Sequence, residues 1–364
     1  MIRLGKRAAI AVSAGILAAA SVTGCSGSLD TDAVVAVVGE ENITLGVANF
    51  YARMTQGQYE TYYASMLGTT ADQMWAQEYS EDETMEDTVK EDLLESLETM
   101  YLMSQHAEEY GVALTEEEQE AIEAAAEKFD ADNTEEAKSA VSGYKKDIEK
   151  VLELATIQSK ITPLMREGVS EDVSDEEAAQ KAMQYVYFAY TSMDEEGNSV
   201  ELSDEEKAEL KEKAQSLTDR AKAGEDFAAV AAELAAEPQT VTFDSESTSP
   251  ASELIEAADA LAAEGEMTDV IETENGVYVA KLTSLLDREA TDAKKTSIVE
   301  ERKQEQYDSL IEEWKEAADI TVDKKVWAKI SFADQGISVI TSEEENAEGS
   351  TEETTEEPVE DTAE

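Results

Sequence analysis

The sequence is poor in the residues that build disulfides and metal sites. Its 364 residues include one cysteine and one histidine, His106. A disulfide within the chain is therefore excluded, and a zinc site, which needs several histidine or cysteine ligands, is not expected around His106. The sequence also lacks an Asp-x-Asp loop with the glycine of a calcium site. We predict no metal and no other cofactor.

Basic residues are also scarce. The chain has 28 lysines and arginines against 85 aspartates and glutamates, which gives a formal net charge of -57. Such a surface repels phosphate groups, so we predict no nucleic-acid partner. The acidic residues recur along every polar segment, which is typical of a solvated exterior. A purely structural acidic surface protein is one class that this composition leaves open.

The single cysteine, Cys25, follows a segment typical of a secretory signal peptide. Three basic residues precede an uncharged run over 8–22, which at about 15 residues is short for a membrane span. The order VTGC at 22–25 resembles a lipobox, in which the cysteine is acylated and becomes the new N-terminus. We predict a lipoprotein signal peptide over 1–24, a lipidated tether over 25–32 and a lipid anchor in the outer face of the cell membrane. An ordinary signal peptide with a chance cysteine is the alternative.

The opposite end of the chain is predicted to be a disordered acidic tail over 341–364. From Glu343 onward it has 11 acidic residues and no basic residue. It lacks the apolar residues whose burial would offset the loss of chain entropy on folding. We interpret it as a solvating tail, and recruitment of a basic partner is the alternative.

Helical patterns dominate the first half of the chain. A β-branched run over 33–38 predicts a short strand, after which apolar residues recur at helical spacing in several segments, one of them over 89–101. Thr115 with Glu118 forms a capping box, in which each side chain bonds to the backbone amide of the other residue. The last helix of this half is expected to end before Pro163.

Strand patterns appear in the second half. Ser174 with Glu177 repeats the capping-box signature, and the aromatic and β-branched segment over 184–192 predicts a strand. Three helical segments follow, with a loop after Pro238, and two short strands then flank a turn at 275–276. This order predicts an α+β unit of just over 100 residues.

The ordered chain is expected to close with a helix and a strand. The helical period returns from Thr291, and the segment ITVDKKVWAKI over 320–330 is interpreted as strand.

Two motifs resemble the parvulin domain of peptidyl-prolyl isomerases, KAGEDFAAVAAEL over 222–234 and GEMTDVIETENGVYVAKL over 265–282. Together with the lipobox and the long closing helix, they make the mature chain similar to the PrsA-type and SurA-type extracytoplasmic foldases. The resemblance implies an α+β fold. A mostly helical chaperone domain, over 33–173 and completed by 290–335, would contain an inserted parvulin-like domain over 175–289.

The resemblance also implies a function. It is that of a membrane-anchored foldase and chaperone outside the cytoplasm, whose partners are unfolded or partly folded secreted polypeptides. X-Pro bonds isomerise over tens to hundreds of seconds because the amide barrier is about 18 to 20 kcal/mol. A tethered helper that shields apolar segments and speeds this step fits that location. The sequence leaves open whether the chain forms a homodimer. A solute-binding lipoprotein of a transporter is the alternative function, although such proteins usually need two α/β lobes.

The catalytic residues of the family are only partly matched. Both family histidines are missing, since His106 lies in the first half. By the resemblance, Tyr187 stands at the first histidine position, Tyr278 at the second and Asp244 at an acidic or thiol position, while Thr273 is retained. A phenol exchanges hydrogen bonds but does not titrate near neutral pH, which implies weak or lost isomerase activity. Alternatively, both tyrosines are ordinary sheet residues.

Overall fold

A computed structural model describes most of the chain. The described residues are 16–18, 29–63, 66, 68–80, 83–194, 197–332 and 337–340. Cys25, most of the predicted signal peptide and the predicted acidic tail lie outside them. The predicted α+β class is confirmed. No helix in the described ranges is long and apolar enough to cross a membrane.

The helices and strands are numbered in chain order. The α-helices are α1 Leu45–Gln58, α2 Ala71–Trp75, α3 Met85–His106, α4 Glu116–Asp132, α5 Glu135–Val141, α6 Lys145–Met165, α7 Asp204–Lys222, α8 Phe227–Glu233, α9 Ser252–Asp259, α10 Arg288–Ala317 and α11 Lys324–Trp327. The strands are β1 Ile16–Ala18, β2 Val34–Val38, β3 Glu41–Thr44, β4 Glu78–Ser80, β5 Glu83–Thr84, β6 Lys181–Ala189, β7 Thr191–Met193, β8 Ser199–Glu201, β9 Gln239–Phe243, β10 Ile271–Glu272, β11 Gly276–Ser284, β12 Ile320–Val322 and β13 Ser338–Ile340.

The chain divides into two compact units. Unit 1 comprises Met1–Glu167 and Gln306–Glu364, and unit 2 comprises Gly168–Glu305. The long helix α10 contributes residues to both. Every strand pair in the described residues is antiparallel, so the parallel βαβ repeats of solute-binding lobes are not found among them.

Unit 1 packs helices around one hydrophobic core and a small sheet of order β12-β2-β3. The predicted capping box is confirmed, because the Glu118 carboxylate accepts from the Thr115 amide at 2.8 Å and the Thr115 hydroxyl accepts from the Glu118 amide at 3.2 Å. Helix α6 continues through Pro163 to Met165, three residues beyond the predicted end. Helix α3 places Leu97, a residue of the predicted apolar stripe, in the core.

The strand predicted over 320–330 is only partly correct. Ile320–Val322 pairs with β2, but Lys324–Trp327 is a short helix. The carboxylate of Asp323 accepts hydrogen bonds from the amides of Lys325 and Val326, at 2.9 and 3.2 Å. This N-cap turns the chain out of the sheet after three residues.

Unit 2 is built on an antiparallel sheet of order β10-β11-β6-β9. Both faces of the two central strands are covered, since side chains alternate between the faces. On one face, Val186 and Val279 belong to a cluster with residues of α7 and α8. On the other face, Met183 and Leu282 pack against α9 through Leu254. The two faces therefore have separate apolar layers.

The Ser174–Glu177 signature lies at a single turn, where the Glu177 amide donates to the Ser174 hydroxyl at 3.1 Å. One prediction in this unit is wrong. The predicted loop after Pro238 contains strand β9, which pairs with β6 at the edge of the sheet. A short Thr-containing strand of this kind depends on its partner more than on its own pattern.

Candidate functional site

Two of the predicted site residues meet on the central strands of unit 2. Tyr187 on β6 and Tyr278 on β11 are directly paired across the sheet. Their rings are stacked, with centroids 4.4 Å apart and 20° between the ring planes. Tyr278 is buried and Tyr187 is half-buried. The stack puts two phenols next to each other on one face of the sheet.

A third tyrosine, which sequence reasoning did not name, lies on the same face. Tyr185 precedes Tyr187 by two residues on β6, and its ring centroid is 6.1 Å from that of Tyr278. It is buried, and its hydroxyl donates to the Gln239 side-chain oxygen at 2.5 Å. The signal was present in the sequence, because residues two apart on a strand share a face. Tyr185, Tyr187 and Tyr278 are called the tyrosine cluster below.

The tyrosine cluster rests on an apolar layer. The buried residues of this face that surround it include Met183, Phe243, Leu254, Ile255, Ala280 and Leu282. The tyrosine cluster thus lies at one end of an apolar layer that α9 covers, and of its three residues only Tyr187 is half-exposed. Mostly apolar sites with a few placed polar groups are typical of proteins that bind peptides or small molecules.

The electrostatics of the tyrosine cluster keep Tyr278 neutral. Burial raises the pKa of its phenol above the ordinary value, and the neighbouring Tyr187, Tyr185 and Glu253 raise it further. A phenol with a raised pKa stays protonated throughout the physiological range. Tyr278 can therefore donate or accept a hydrogen bond but does not act as a base near neutral pH.

Thr273 lies at the hairpin between β10 and β11. Its hydroxyl donates to the Gly276 carbonyl at 3.0 Å, and its amide donates to the same oxygen at 2.9 Å. The Tyr187 hydroxyl donates to the neighbouring Asn275 carbonyl at 2.7 Å. Thr273 and Tyr187 thus both bind this turn, and the Thr273 hydroxyl is engaged in holding it.

Gly276 is needed where the hairpin meets β6. A β-carbon at this position would lie 2.4 Å from the Phe188 carbonyl oxygen and 2.5 Å from the Tyr187 ring. Real β-carbon contacts of this length are not tolerated, so only glycine fits without displacing β6. The stacked tyrosines therefore depend on a residue that carries no side chain.

Asp244 is not brought to the tyrosine cluster. It follows β9 at the end where Phe243 pairs with Lys181, six residues along β6 from Tyr187. At about 3.3 Å per residue, this is about 20 Å from Tyr187. There the Asp244 carboxylate accepts from Gln180 at 2.8 Å and from Ser247 at 2.9 Å.

The charge state of Asp244 follows from these bonds. Partial burial opposes its ionisation, but the hydrogen bonds from Gln180, Ser247 and the Glu246 amide, together with Lys294, lower its pKa. An ionised carboxylate that holds its own loop in this way fits a structural role. The geometry therefore separates Asp244 from Tyr187, Tyr278 and Thr273.

His106 lies in unit 1 and packs against an aromatic ring. Its imidazole stacks on Trp314 with centroids 4.2 Å apart and 1° between the planes, and its Nδ1 is 2.8 Å from the Glu109 carboxylate. Within the described ranges, no group of three or more potential ligands could hold a metal ion.

Comparisons with known proteins address this part of the chain. Residues 187–295 match the family model of the PPIC-type PPIase domain. The match includes Tyr187, Thr273 and Tyr278 and begins just after Tyr185. No curated protein sequence is significantly similar to the chain.

Solved structures similar to the chain include PrsA proteins. The foldase protein PrsA of Streptococcus pneumoniae is 19% identical with a TM-score of 0.30, and the match covers 68% of this chain and 90% of that chain. The foldase protein PrsA of Lactococcus lactis is 17% identical with a TM-score of 0.27, and the match covers 81% of this chain and 96% of that chain. The peptidylprolyl isomerase PrsA of Bacillus anthracis is 16% identical with a TM-score of 0.26, and the match covers 64% of this chain and 100% of that chain.

The family assignment thus rests on the sequence match over 187–295, which lies within unit 2. The matched segment contains helices α7, α8 and α9 and the β10–β11 hairpin that holds Tyr278. Residues 187–295 belong to the PPIC-type PPIase family of domains.

Proposed function

We propose that the protein is an extracytoplasmic foldase whose PPIC-type domain binds proline-containing segments of secreted polypeptides and accelerates their isomerisation weakly. The observation that carries this proposal is the tyrosine cluster, in which stacked Tyr187 and Tyr278 lie beside Tyr185 on an apolar face of the domain. Residues 187–295 match a PPIase family model, so this face is where a prolyl segment would bind.

The chemistry of the cluster suits isomerisation of an amide. Rotation about an X-Pro bond breaks amide resonance, so the twisted amide is less polar at its carbonyl than the planar amide. An apolar surface disfavours the planar amide relative to the twisted amide, and a neutral phenol can donate a hydrogen bond to the prolyl nitrogen. Since the raised pKa of Tyr278 keeps its phenol from acting as a base near neutral pH, the acceleration is expected to be small.

Refolding of a proline-limited substrate protein tests this function. The wild-type mature chain should speed the slow refolding phase, while a Tyr185→Phe, Tyr187→Phe, Tyr278→Phe triple variant should lose most of the effect. The phenylalanines keep the rings and remove only the three hydroxyls. Tyr144→Phe, an exposed tyrosine of unit 1, is the matched control. Equal acceleration by the wild type and the triple variant would exclude the phenols from the function.

We further propose that unit 1 shields unfolded clients, because a foldase outside the cytoplasm works without ATP. Suppression of client aggregation by the full mature chain tests this part. A chain that neither suppresses aggregation nor speeds any refolding phase is not a foldase.

Membrane anchoring through Cys25 belongs to the same proposal. Its support is the VTGC motif at 22–25 after an uncharged run. Two acyl chains hold a protein on a bilayer, each buried methylene contributing about 0.8 kcal/mol. In cells fed labelled palmitate, the wild-type chain should carry the label in the membrane fraction, and a Cys25→Ser variant should not. Labelling of the variant, or release of unlabelled wild type, would contradict the anchor.

A further inference from the structure

Unit 1 contains an open groove of about 690 Å³ that the proposed isomerase site does not involve. One wall is a face of α3, on which Asp87, Leu94 and Glu98 recur at helical spacing over about 17 Å. The other wall is formed by β12 and α11. Five extended residues span about the same length at 3.3 Å each, so the groove has room for a short extended peptide.

The floor of the groove is apolar. Ile320 and Val322, two apart on β12, line it together with Leu94 and Trp327. Val322 is 36% exposed, which is unusual for a valine in a sheet that forms part of a core. The floor therefore offers exposed apolar surface at Val322, with Leu94, Ile320 and Trp327 half-buried beside it.

The rim of the groove is negatively charged. Five carboxylates and three lysines line it. Two of the lysines are already bound, Lys90 to the Ile330 carbonyl at 2.5 Å and Lys315 to the Glu95 carboxylate at 2.5 Å. With five carboxylates against three lysines, the rim keeps an excess of negative charge.

Two carboxylates of the rim, Glu91 and Glu98, are not paired. Neither makes a side-chain hydrogen bond or an ion pair with the residues that the structure describes. Partial burial raises the pKa of Glu98, and Glu95 raises it further against the opposing effect of Lys315. A half-buried carboxylate without a partner is stabilised by any cation that enters the groove.

We propose that this groove binds an extended client segment in which a lysine or arginine is flanked by apolar residues. The apolar side chains would cover Val322 and its neighbours, and the cation would pair with Glu91 and Glu98. The inference rests on the proposed foldase function and names the class of client segment that unit 1 selects.

The negative charge of the rim favours a basic client segment over the acidic tail and over a second copy of the chain. The acidic segment that begins at Glu343 has 11 acidic and no basic residues, so the rim repels it. A second copy of the chain, with a formal charge of -57, is disfavoured for the same reason. A basic and apolar segment of another polypeptide complements both the floor and the rim.

Fluorescence anisotropy of a labelled peptide tests the inference. The probe is Gly-Leu-Lys-Ile-Lys-Val-Gly, compared with the peptide in which both lysines are glutamates. A Glu91→Gln, Glu98→Gln variant of the mature chain should weaken binding of the lysine peptide at least about fivefold. The matched control, Glu117→Gln with Glu120→Gln on exposed positions of α4, removes the same charge and should change it less than about twofold.

Two further measurements separate the contributions of floor and rim. Val322→Ser should weaken binding about threefold by removing apolar surface. Raising NaCl from about 0.05 to about 0.5 M should weaken binding to the wild type and have little effect on the Glu91→Gln, Glu98→Gln variant. All variants should retain the wild-type thermal unfolding profile, because none of the substituted side chains is fully buried.

Equal binding of the lysine and glutamate peptides would overturn the inference. So would an unchanged affinity of the Glu91→Gln, Glu98→Gln variant, or an equal loss in the Glu117→Gln, Glu120→Gln control. If the wild type still suppresses client aggregation in any of these cases, the foldase proposal stands and only the groove assignment fails. If the lysine peptide binds but no client is protected or refolded faster, the foldase proposal fails instead.

Discussion

Tyr187 and Tyr278 face each other on adjacent antiparallel strands with their ring centroids 4.4 Å apart. The close approach of the strands at this point requires Gly276, since a β-carbon there would lie 2.5 Å from the Tyr187 ring. The arrangement of the two phenols and the hairpin turn are thus one structural feature. Changes to the turn are expected to affect the site.

A Gly276→Ala variant is expected to loosen the sheet of unit 2. The methyl group forces β6 and β11 apart, which should lower the free energy of unfolding of this unit by about 3 kcal/mol. Amide hydrogen exchange followed by mass spectrometry should show lost protection over Lys181–Ala189 and Gly276–Ser284 and unchanged protection in unit 1.

Gly197→Ala is the matched control for this change. Gly197 has a φ of +84° but nothing within 4 Å of its would-be β-carbon, so alanine adds only backbone strain of about 1 to 2 kcal/mol. This strain is confined to the turn between β7 and β8. Equal deprotection of β6 and β11 by both variants would show that close packing at Gly276 is not what holds the strands.

Isomerase activity is expected to be nearly independent of pH between about 6 and 9. Tyr278 is neutral over this range, because burial and the neighbouring phenols raise its pKa. A Tyr278→His variant places an imidazole in the cluster, and its activity should change with pH around an ordinary histidine pKa of about 6.5. A bell-shaped or steep profile for the wild type would mean that another group does the chemistry.

Asp147 in unit 1 is expected to lower stability at neutral pH. The side chain is 2% exposed, and one carboxylate oxygen has no hydrogen-bond partner among the described residues. Burial, with a smaller contribution from Asp32, raises the pKa of Asp147 to about 6 against the effect of Lys146. The folded state thus holds a proton that the unfolded state releases near its ordinary pKa of 3.8.

The direction of the pH effect follows from this difference. Between about pH 4 and 6 the folded chain binds more protons than the unfolded chain, so the Asp147 contribution to stability falls as the pH rises. Above about pH 6 the full cost, about 2 to 3 kcal/mol, is present. Asp147→Asn should therefore stabilise unit 1 by about this amount at pH 7.5 and hardly at pH 4.

Urea unfolding followed by tryptophan fluorescence measures the effect of Asp147→Asn on the stability of unit 1. Trp75, Trp314 and Trp327 all lie in unit 1. Subtracting the wild type from the Asp147→Asn variant at each pH removes the general repulsion of the acidic surface. The same stability difference at both pH values would show that Asp147 does not titrate as described.

Local sequence signals predicted the elements that depend on neighbouring residues. The Thr115 capping box and the hairpin turn at Gly276 are determined within a few residues, and both are found in the structure. The similar signature at Ser174 opens only a turn. Downstream, the Gln180 amide donates to the Thr291 hydroxyl at 3.1 Å, a contact across 111 residues that no local pattern reveals.

The candidate site was only partly predictable for the same reason. Tyr278 and Tyr187 are 91 residues apart, and their pairing depends on the register of β6 against β11. Sequence reasoning by resemblance selected both but missed Tyr185, whose importance follows from the face it shares. It also grouped Asp244 with them, because spacing along the chain does not reveal that β9 runs toward the far end of β6.

The most direct test of the central claim is the cis/trans exchange rate of a prolyl peptide, measured by NMR exchange spectroscopy with the mature chain present in catalytic amount. Uncatalysed exchange takes tens to hundreds of seconds. Faster exchange is expected with the wild type and with Tyr144→Ala, and the uncatalysed rate is expected with Tyr278→Ala. An uncatalysed rate with the wild type, or equal acceleration by Tyr278→Ala, would contradict this claim.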